Sequence, residues 1–383
     1  MIKLALKRFF QINNGHPRIF GLDLLRAFAI LFVLFGHSSI LTPIHYKPII
    51  SLITLDGVAL FFVLSGFLIG GILIKSLEKE KASLNNLFVF WTRRWLRTIP
   101  IYFILLTFVI LYYNYLKPHK LPLEWYRYFF FIQNFNYPLP PFFGESWSLS
   151  IEEWFYLIVP IILYATVRFI KGAFKKKLLV IILLVIILII GYRLYLYQTT
   201  PFNSFAEVNL KILRQVITRL DSIMFGVLAA YFAHFFPTLW NKKSSYLCLL
   251  GVILLYALKF FNDNNISEYS VVIVPVFKSI CVVMMLPFLS TWKTTRHKTI
   301  SRVITFISLI SYSMYLINRT IVIDILIKFG LHDNLIGNHE FSYYWGVDYF
   351  LFWFFSLSIA YILYISIEVP FMKLRNIKNK TNK

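Results

Sequence analysis

Long apolar stretches alternate along the chain with short polar connections, many of them basic. Apolar runs of about 18 to 25 residues recur from end to end, the length that an α-helix needs to cross roughly 30 Å of hydrocarbon. The pattern predicts an all-α integral membrane protein with about ten transmembrane helices. The predicted spans cover residues 20–40, 52–74, 95–113, 149–169, 178–198, 216–236, 245–261, 270–290, 303–327 and 345–367.

The composition agrees with this pattern. Hydrophobic residues make up 58% of the 383 positions, which exceeds what a soluble core requires. We expect a single polytopic domain over residues 1–383, with a core of about 18–375 and no separate soluble domain. Residues 114–148, rich in aromatic residues and proline, form the longest connection. They are expected either to form an interfacial aromatic belt or to fold back over the bundle and stack on a sugar-like ligand.

The net charge of +22 raises the question of nucleic acid binding. The basic residues instead cluster in alternate connections, and such clusters mark the cytosolic side of a polytopic protein. This distribution predicts that both termini lie in the cytosol and leaves no basic soluble surface for nucleic acid. The two cysteines, Cys248 and Cys281, both fall within predicted spans, so we expect neither a disulfide framework nor a metal site.

Polar residues within the first span are candidates for function, because charged groups are costly in a membrane. Arg26 and His37 are 11 positions apart, which places them on one helix face and about 16 Å apart along the axis. Imidazole is suited to draw a proton from a hydroxyl near neutral pH. The structural alternatives are a salt bridge from Arg26 to Asp23 and a single interfacial hydrogen bond for His37.

The next two spans carry small and basic residues. Ser65 lies among glycines in "DGVALFFVLSGFLIGG", where small residues allow close helix packing or leave room for a threaded chain. Arg93, Arg94 and Arg97 lie at the predicted cytosolic edge of the third span, before Tyr102. They indicate either positive-inside anchoring or a phosphate site, because guanidinium groups bind phosphate oxygens in pairs.

Carboxylates open the fourth span, in "ESWSLSIEEWFYLIVP". Glu152 and Glu153 point about 100° apart on a helix, so only one of them is expected to face a cavity. Such a carboxylate could orient His37 or hold an acceptor, whereas helix capping by the neighbouring serines is the structural alternative. Among the later spans, Arg219 is the strongest candidate to line a cavity.

Taken in order, these motifs resemble the acyltransferase-3 family of bacterial membrane O-acyltransferases over about residues 18–375. The resemblance rests on the pair Arg26 and His37, "GVALFFVLSGFLI", "RRWLRTIPIY" and "SWSLSIEEWFYL". It implies about ten helices in the bacterial inner membrane that carry an acyl group, usually acetyl from acetyl-CoA, to hydroxyls of extracytoplasmic carbohydrate such as O-antigen, capsule or exopolysaccharide. Asn318 departs from the family, in which histidine is frequent at this position.

The resemblance implies that His37 is the catalytic base, that Arg26 is its partner and that the three arginines bind CoA phosphates. We assign the remaining candidates by side: Glu152 to catalysis, Ser65 and Tyr102 to the donor, and Glu153, Trp147, Asn134 and Arg219 to the acceptor. The expected partners are acyl-CoA, the carbohydrate acceptor and the bilayer, with no permanently bound cofactor and no nucleic acid. The oligomeric state stays open, a homodimer included. A transporter of a polar or anionic solute is the alternative function.

Overall fold

Helices make up almost all of the regular structure in the computed structural model, which describes residues 18–79, 83–261, 266–336 and 345–377. No strand occurs among these residues. We number the ten long helices α1 to α10. They are α1 Phe20–Ser38, α2 Gly57–Lys79, α3 Leu84–Leu116, α4 Ser146–Phe169, α5 Phe174–Thr199, α6 Val216–Phe235, α7 Ser244–Phe261, α8 Val274–Thr291, α9 Lys298–Ile317 and α10 Trp345–Leu363.

The all-α prediction is confirmed, and each predicted span corresponds to one of these helices. Nine helical segments within the described residues are long and apolar enough to cross a membrane, and α7 belongs to a shorter apolar helix, Ser244–Phe260. The helices run in alternating directions. We call the end of the bundle that carries Arg18, Lys171, Lys242 and Lys293 the basic end, and the other end, with residues 117–145, the opposite end.

The third helix differs from its predicted bounds. Helix α3 begins at Leu84 rather than near residue 95, and its 33 residues make it about 50 Å long, well beyond the hydrocarbon thickness. Arg93, Arg94 and Arg97 therefore lie inside a continuous helix and not at its edge. The helix begins before the predicted span because hydropathy marks where lipid begins, whereas a helix continues as long as its backbone hydrogen bonds are satisfied.

Close helix contacts depend on glycine. Gly66 of α2 faces Gly226 of α6, and a Cβ atom built on Gly66 would lie 1.9 Å from the carbonyl oxygen of Ile223. The two backbones approach so closely that only hydrogen fits at these positions. Gly66 therefore serves helix packing, one of the two alternatives that the sequence left open for the small residues of this span.

A buried ion pair joins α5 to α6. Arg193 Nη2 donates to Asp221 Oδ2 over 2.8 Å, and both side chains are fully buried. The guanidinium also donates to the carbonyl oxygens of Thr218 and Val272, which satisfies much of its hydrogen-bonding capacity. Asp221 thus finds its partner on another helix and not in Arg219, two residues away.

The connection over residues 117–145 folds back into the bundle. It forms two short 3-10 helices, Pro118–Lys120 and Trp125–Phe130. Tyr128 is fully buried, and the ring of Phe131 stacks on that of Tyr102 with centroids 4.8 Å apart. This connection is part of the hydrophobic core and covers the bundle at the opposite end. It is therefore not a simple linker.

Helix α9 changes its geometry at Asn318. The chain continues beyond Ile317 as the π-helical segment Asn318–Ile336. At this junction Glu145 Oε1 accepts hydrogen bonds from the backbone N–H groups of Arg319 and Thr320 over 2.8 and 2.6 Å. Its Oε2 accepts a further hydrogen bond from the Thr320 hydroxyl. A buried carboxylate from another element thus binds the backbone where the helix register changes.

Candidate active site

A cavity lies among α1, α2, α3, α4 and α9. On α2 its lining extends from Val58 to Ile69, which corresponds to about 16 Å along the helix. Because α2 begins at the opposite end, Val58 marks the part of the cavity toward the opposite end and Ile69 the part toward the basic end. The polar residues of the lining are Arg26, Ser65, Arg94, Arg97, Thr98, Ser148, Glu152, Tyr156, Ser311, Tyr312 and Tyr315.

Two cations of this lining, Arg26 and Arg97, have no carboxylate partner among the residues that the structure describes. Asp23, the expected partner of Arg26, is instead held by Arg18 through Nε over 2.7 Å and through Nη2 over 2.5 Å. Ser308 Oγ donates a further hydrogen bond to Asp23. With Asp23 occupied in this way, the salt-bridge alternative for Arg26 was wrong, and its guanidinium faces the cavity beside Arg97.

Glu152 is the carboxylate of the cavity. Its Oε1 accepts a hydrogen bond from Ser65 Oγ over 3.2 Å, and its Oε2 accepts one from Tyr156 Oη over 3.0 Å. Glu153 is buried away from the lining, against Trp95 and Thr98. As expected, only one of the two adjacent carboxylates faces the cavity. Glu152, however, makes no hydrogen bond to His37 in the structure.

His37 is not part of the cavity lining and lies just beyond Val58, toward the opposite end of the bundle. Its Nδ1 is hydrogen-bonded to Oδ1 of Asn318. Asn318 follows Tyr315 by one helical turn, and Tyr315 lines the cavity. The Tyr315 hydroxyl is 2.5 Å from Ser148 Oγ. Tyr315 and Asn318 thus connect the cavity to the imidazole, which is partly exposed.

Several predicted site residues lie outside the cavity. Tyr102 is fully buried, and its hydroxyl donates to the carbonyl oxygen of Tyr128 over 3.0 Å, so it packs the core. Arg93 is exposed on the outer face of α3 and is absent from the lining. Arg219 is buried near Asp56 and Asp221, so the expectation that it lines the cavity was wrong.

The predicted acceptor residues on the opposite side form a structural link. Asn134 Nδ2 donates to the carbonyl oxygens of Trp147 and Arg214 over 3.0 and 2.6 Å. The guanidinium of Arg214 lies 5.6 Å from the centre of the Trp147 ring. Trp147 is partly exposed, whereas Asn134 is fully buried. Of these two residues, only Trp147 could therefore contact a ligand.

The serines at the start of α4 do not cap the helix. Ser146 Oγ donates to the carbonyl oxygen of Phe143 over 2.6 Å, and Ser150 Oγ donates to that of Ser146 over 3.1 Å. Ser148 contacts Tyr315, as described above. The capping alternative was therefore wrong, because two of these hydroxyls donate to preceding backbone carbonyls and the third contacts Tyr315.

Asn318 was singled out in the sequence as a departure from the family, but its contact with His37 was not predicted. Ser311, Tyr315 and Asn318 recur at intervals of four and three residues, so they lie on one face of α9. This spacing could have indicated from the sequence alone that Asn318 lies on the same side as the cavity residues Ser311 and Tyr315.

Among the described residues, no group of three or more His, Cys, Asp or Glu side chains could hold a metal ion.

Comparison with known proteins defines the class. A family model described as an acyltransferase domain, that of the acyltransferase-3 family, matches residues 19–369. The chain therefore belongs to this family, and it is a multi-pass membrane protein of the acyltransferase class.

Among curated proteins, the chain is 34% identical over 130 residues to the peptidoglycan O-acetyltransferase OatA of Listeria monocytogenes serovar 1/2a. That match covers 30% of this chain and 21% of the relative. A putative O-acetyltransferase of Staphylococcus aureus strain COL is 27% identical over 375 residues, which cover 92% of this chain and 57% of the relative. The chain thus spans about half, or less, of these relatives. No solved structure matches it.

Proposed function

We propose that the protein is a membrane O-acetyltransferase that takes an acyl group, most simply acetyl, from acyl-CoA and passes it to a hydroxyl of an extracytoplasmic carbohydrate. The observation that carries this proposal is the order of the arginines and the histidine along the axis of the bundle. Within the described part of the chain, Arg26 and Arg97 face the cavity with no carboxylate at salt-bridge distance, and the histidine lies beyond its other end. The names of the relatives support acetyl as the group transferred.

In this proposal the basic end of the bundle faces the cytosol. The arginines of the cavity bind phosphate and carbonyl oxygens of the donor, because guanidinium groups form paired hydrogen bonds to such oxygens. The acceptor approaches His37 from the opposite end, where the imidazole is partly exposed. Donor and acceptor therefore meet near the outer end of the cavity without either crossing the bundle.

His37 acts as the general base. It removes the proton of the acceptor hydroxyl while the hydroxyl oxygen attacks the carbonyl carbon of the thioester. The carbon–sulfur bond breaks, and the proton passes to the CoA thiolate. The hydroxyls of Tyr315 and Ser148 are hydrogen-bonded to each other, so the one that accepts in this contact keeps its hydrogen free to donate to the developing oxyanion. Ser65, the candidate for this role in the sequence, is bound to Glu152 instead.

The test measures label transfer from radiolabelled acetyl-CoA to envelope carbohydrate in membranes with equal amounts of wild type, His37→Ala and His45→Ala. His45 is an exposed histidine at the same end of the bundle and serves as the matched control. We expect wild type and His45→Ala to incorporate label and His37→Ala to fall at least 100-fold, the range typical of general acid–base catalysis. Absence of label above a deletion strain, with solute flux present, would support the transporter alternative instead.

A further inference from the structure

The side chain of Asn318 makes three polar contacts in the structure. The amide nitrogen Nδ2 donates to the carbonyl oxygens of Met314 and Tyr315 over 3.1 and 2.7 Å. The amide oxygen Oδ1 contacts Nδ1 of His37, 281 residues away in the chain. Asn318 itself is fully buried, so water does not compete for these contacts.

The two carbonyl contacts determine which way the amide points. Carbonyl oxygens only accept hydrogen bonds, so the atom that faces Met314 and Tyr315 has to be the NH₂ group. The oxygen that faces the imidazole can only accept, so Nδ1 of the neutral imidazole carries the hydrogen. Nε2 then holds the lone pair. The tautomer follows from the fixed partners of Asn318.

The backbone around Asn318 is held independently of His37. Glu145 accepts hydrogen bonds from the backbone of Arg319 and Thr320, at the junction between α9 and the π-helical segment. On the preceding turn, the Tyr315 hydroxyl contacts Ser148 of α4. Asn318 therefore presents its oxygen to the imidazole from a segment that is anchored on both sides. Its side chain has little freedom to rotate away.

We infer that Asn318 is a positioning residue that holds His37 in the Nδ1–H tautomer, with Nε2 as the only basic nitrogen of the reaction. The inference rests on the proposed acetyl transfer. An amide oxygen is too weakly basic to accept a proton near neutral pH, so Asn318 cannot relay the proton taken from the acceptor. Nε2 takes the proton from the hydroxyl as the carbon–oxygen bond forms. The same Nε2–H gives it to the CoA thiolate as the carbon–sulfur bond breaks.

A histidine at position 318, as the family resemblance implies for many relatives, could itself carry a proton. Asparagine removes that second titratable group, so the charged groups that act on the imidazole are Arg319, Arg214 and Asp324. We therefore expect the acid side of the pH–rate profile to follow a single ionisation, that of His37. In Asn318→His we expect an additional ionisation or a shallower, shifted profile, because two coupled imidazoles titrate as a pair.

The test compares wild type, Asn318→Leu, Asn318→Asp and Thr320→Val in membranes, with radiolabelled acetyl-CoA as donor. Leucine has a similar volume but makes no hydrogen bond, so we expect a roughly 10- to 100-fold lower maximal rate at unchanged KM for acetyl-CoA, a smaller loss than the roughly 10²- to 10⁴-fold expected when the base itself is removed. In Asn318→Asp, an ionised carboxylate beside Nδ1 stabilises the imidazolium. The base form then appears only at higher pH, and the acid limb of the profile should move up by about one unit.

Thr320→Val controls for simple disturbance of the segment. It removes the hydroxyl that donates to Glu145 but leaves the contact between His37 and Asn318. We expect it to lower thermal stability without a shift of the acid limb. Nitrogen-15 spectra of the labelled imidazole, assigned by difference from His37→Gln, should show the Nδ1–H tautomer in wild type and Thr320→Val. In Asn318→Leu we expect the preference of His37 for the Nδ1–H tautomer to be lost.

The outcomes separate the two proposals. If wild type transfers no acetyl group, the proposed function fails. If wild type is active and His37→Ala is not, but Asn318→Leu keeps the wild-type rate and Asn318→Asp keeps the wild-type pH profile, the positioning role of Asn318 is refuted and the acetyltransferase proposal stands. An Nε2–H tautomer in the wild-type spectrum would directly refute the positioning role of Asn318.

Discussion

At the scale of single residues, the sequence identified the charged and titratable residues of the site but did not predict their contacts. Arg26 and His37 stood out because charged and titratable groups are rare within a membrane span. The side chains that surround them could not be identified from the sequence in the same way. Asp23 pairs with Arg18 rather than Arg26, and His37 contacts Asn318 rather than a carboxylate. Asp23 is bound by a residue just before α1, and His37 by a residue 281 positions away in the chain.

The cavity arginines allow a prediction on donor binding. Arg97 faces the cavity, whereas Arg93, one helical turn before it, is exposed outside the lining. A hydrogen bond to a charged group contributes about 1.5–3 kcal/mol, so Arg97→Ala should raise KM for acetyl-CoA about 10- to 100-fold. Arg93→Ala should leave KM near the wild-type value. Initial rates of label transfer over a range of acetyl-CoA concentrations measure both, and equal effects of the two substitutions would contradict the assignment of donor binding to the cavity.

At the scale of helices, the bundle depends on close packing of α2 against α6. Lipid tails are as apolar as the side chains they surround, so helices in a membrane associate through tight contact and polar pairs. Gly66 and Gly226 supply the contact, and Arg193 with Asp221 supplies a polar pair between α5 and α6. The sequence pointed to the glycines as a group. The particular positions that meet another backbone became visible only in the packed structure.

Glycine substitutions test this packing. A Cβ atom at position 66 would overlap the backbone of α6, whereas one at position 71, on the same helix, meets nothing within 4 Å. Gly66→Ala should therefore destabilise the protein by about 1–3 kcal/mol, the usual cost of overpacking. Gly71→Ala should be neutral or slightly stabilising, because alanine favours helix more than glycine does. Thermal unfolding in detergent, followed by size-exclusion chromatography, measures the difference; a stable Gly66→Ala variant would mean that α2 and α6 are not in contact.

At the scale of the whole molecule, the connections at one end of the bundle carry most of the positive charge, whereas the opposite end is covered by the folded-back connection over residues 117–145. This asymmetry predicts the orientation of the protein in the membrane. The proposed reaction needs that orientation, because acyl-CoA is cytosolic. Carbohydrate of the envelope lies outside.

Cysteine labelling tests the orientation. In a background with Cys248→Ser and Cys281→Ala, a single cysteine replaces either Lys171 at the basic end or Lys120 at the opposite end, both exposed. A membrane-impermeant maleimide applied to intact spheroplasts should label Lys120→Cys and spare Lys171→Cys. Permeabilised membranes should label both, which controls for reactivity. The reverse pattern would place the cavity arginines on the outer side and rule out a cytosolic donor at this site.

The sequence by itself determined the class of fold, the number and approximate position of the helices, and the two polar residues of the first span. It could do so because in lipid every backbone polar group is satisfied within its own helix, so length and hydropathy suffice to mark a span. Helix ends were less accurate, as the early start of α3 illustrates.

Only the tertiary structure decided which polar groups meet. Glu152 binds Ser65 and Tyr156 instead of His37, and Tyr102 packs into the core instead of lining the cavity. The contact between His37 and Asn318 joins the first and ninth long helices. Periodicity assigns a residue to a face of its own helix, but it does not contain the rotation, depth and crossing angle that bring two faces together.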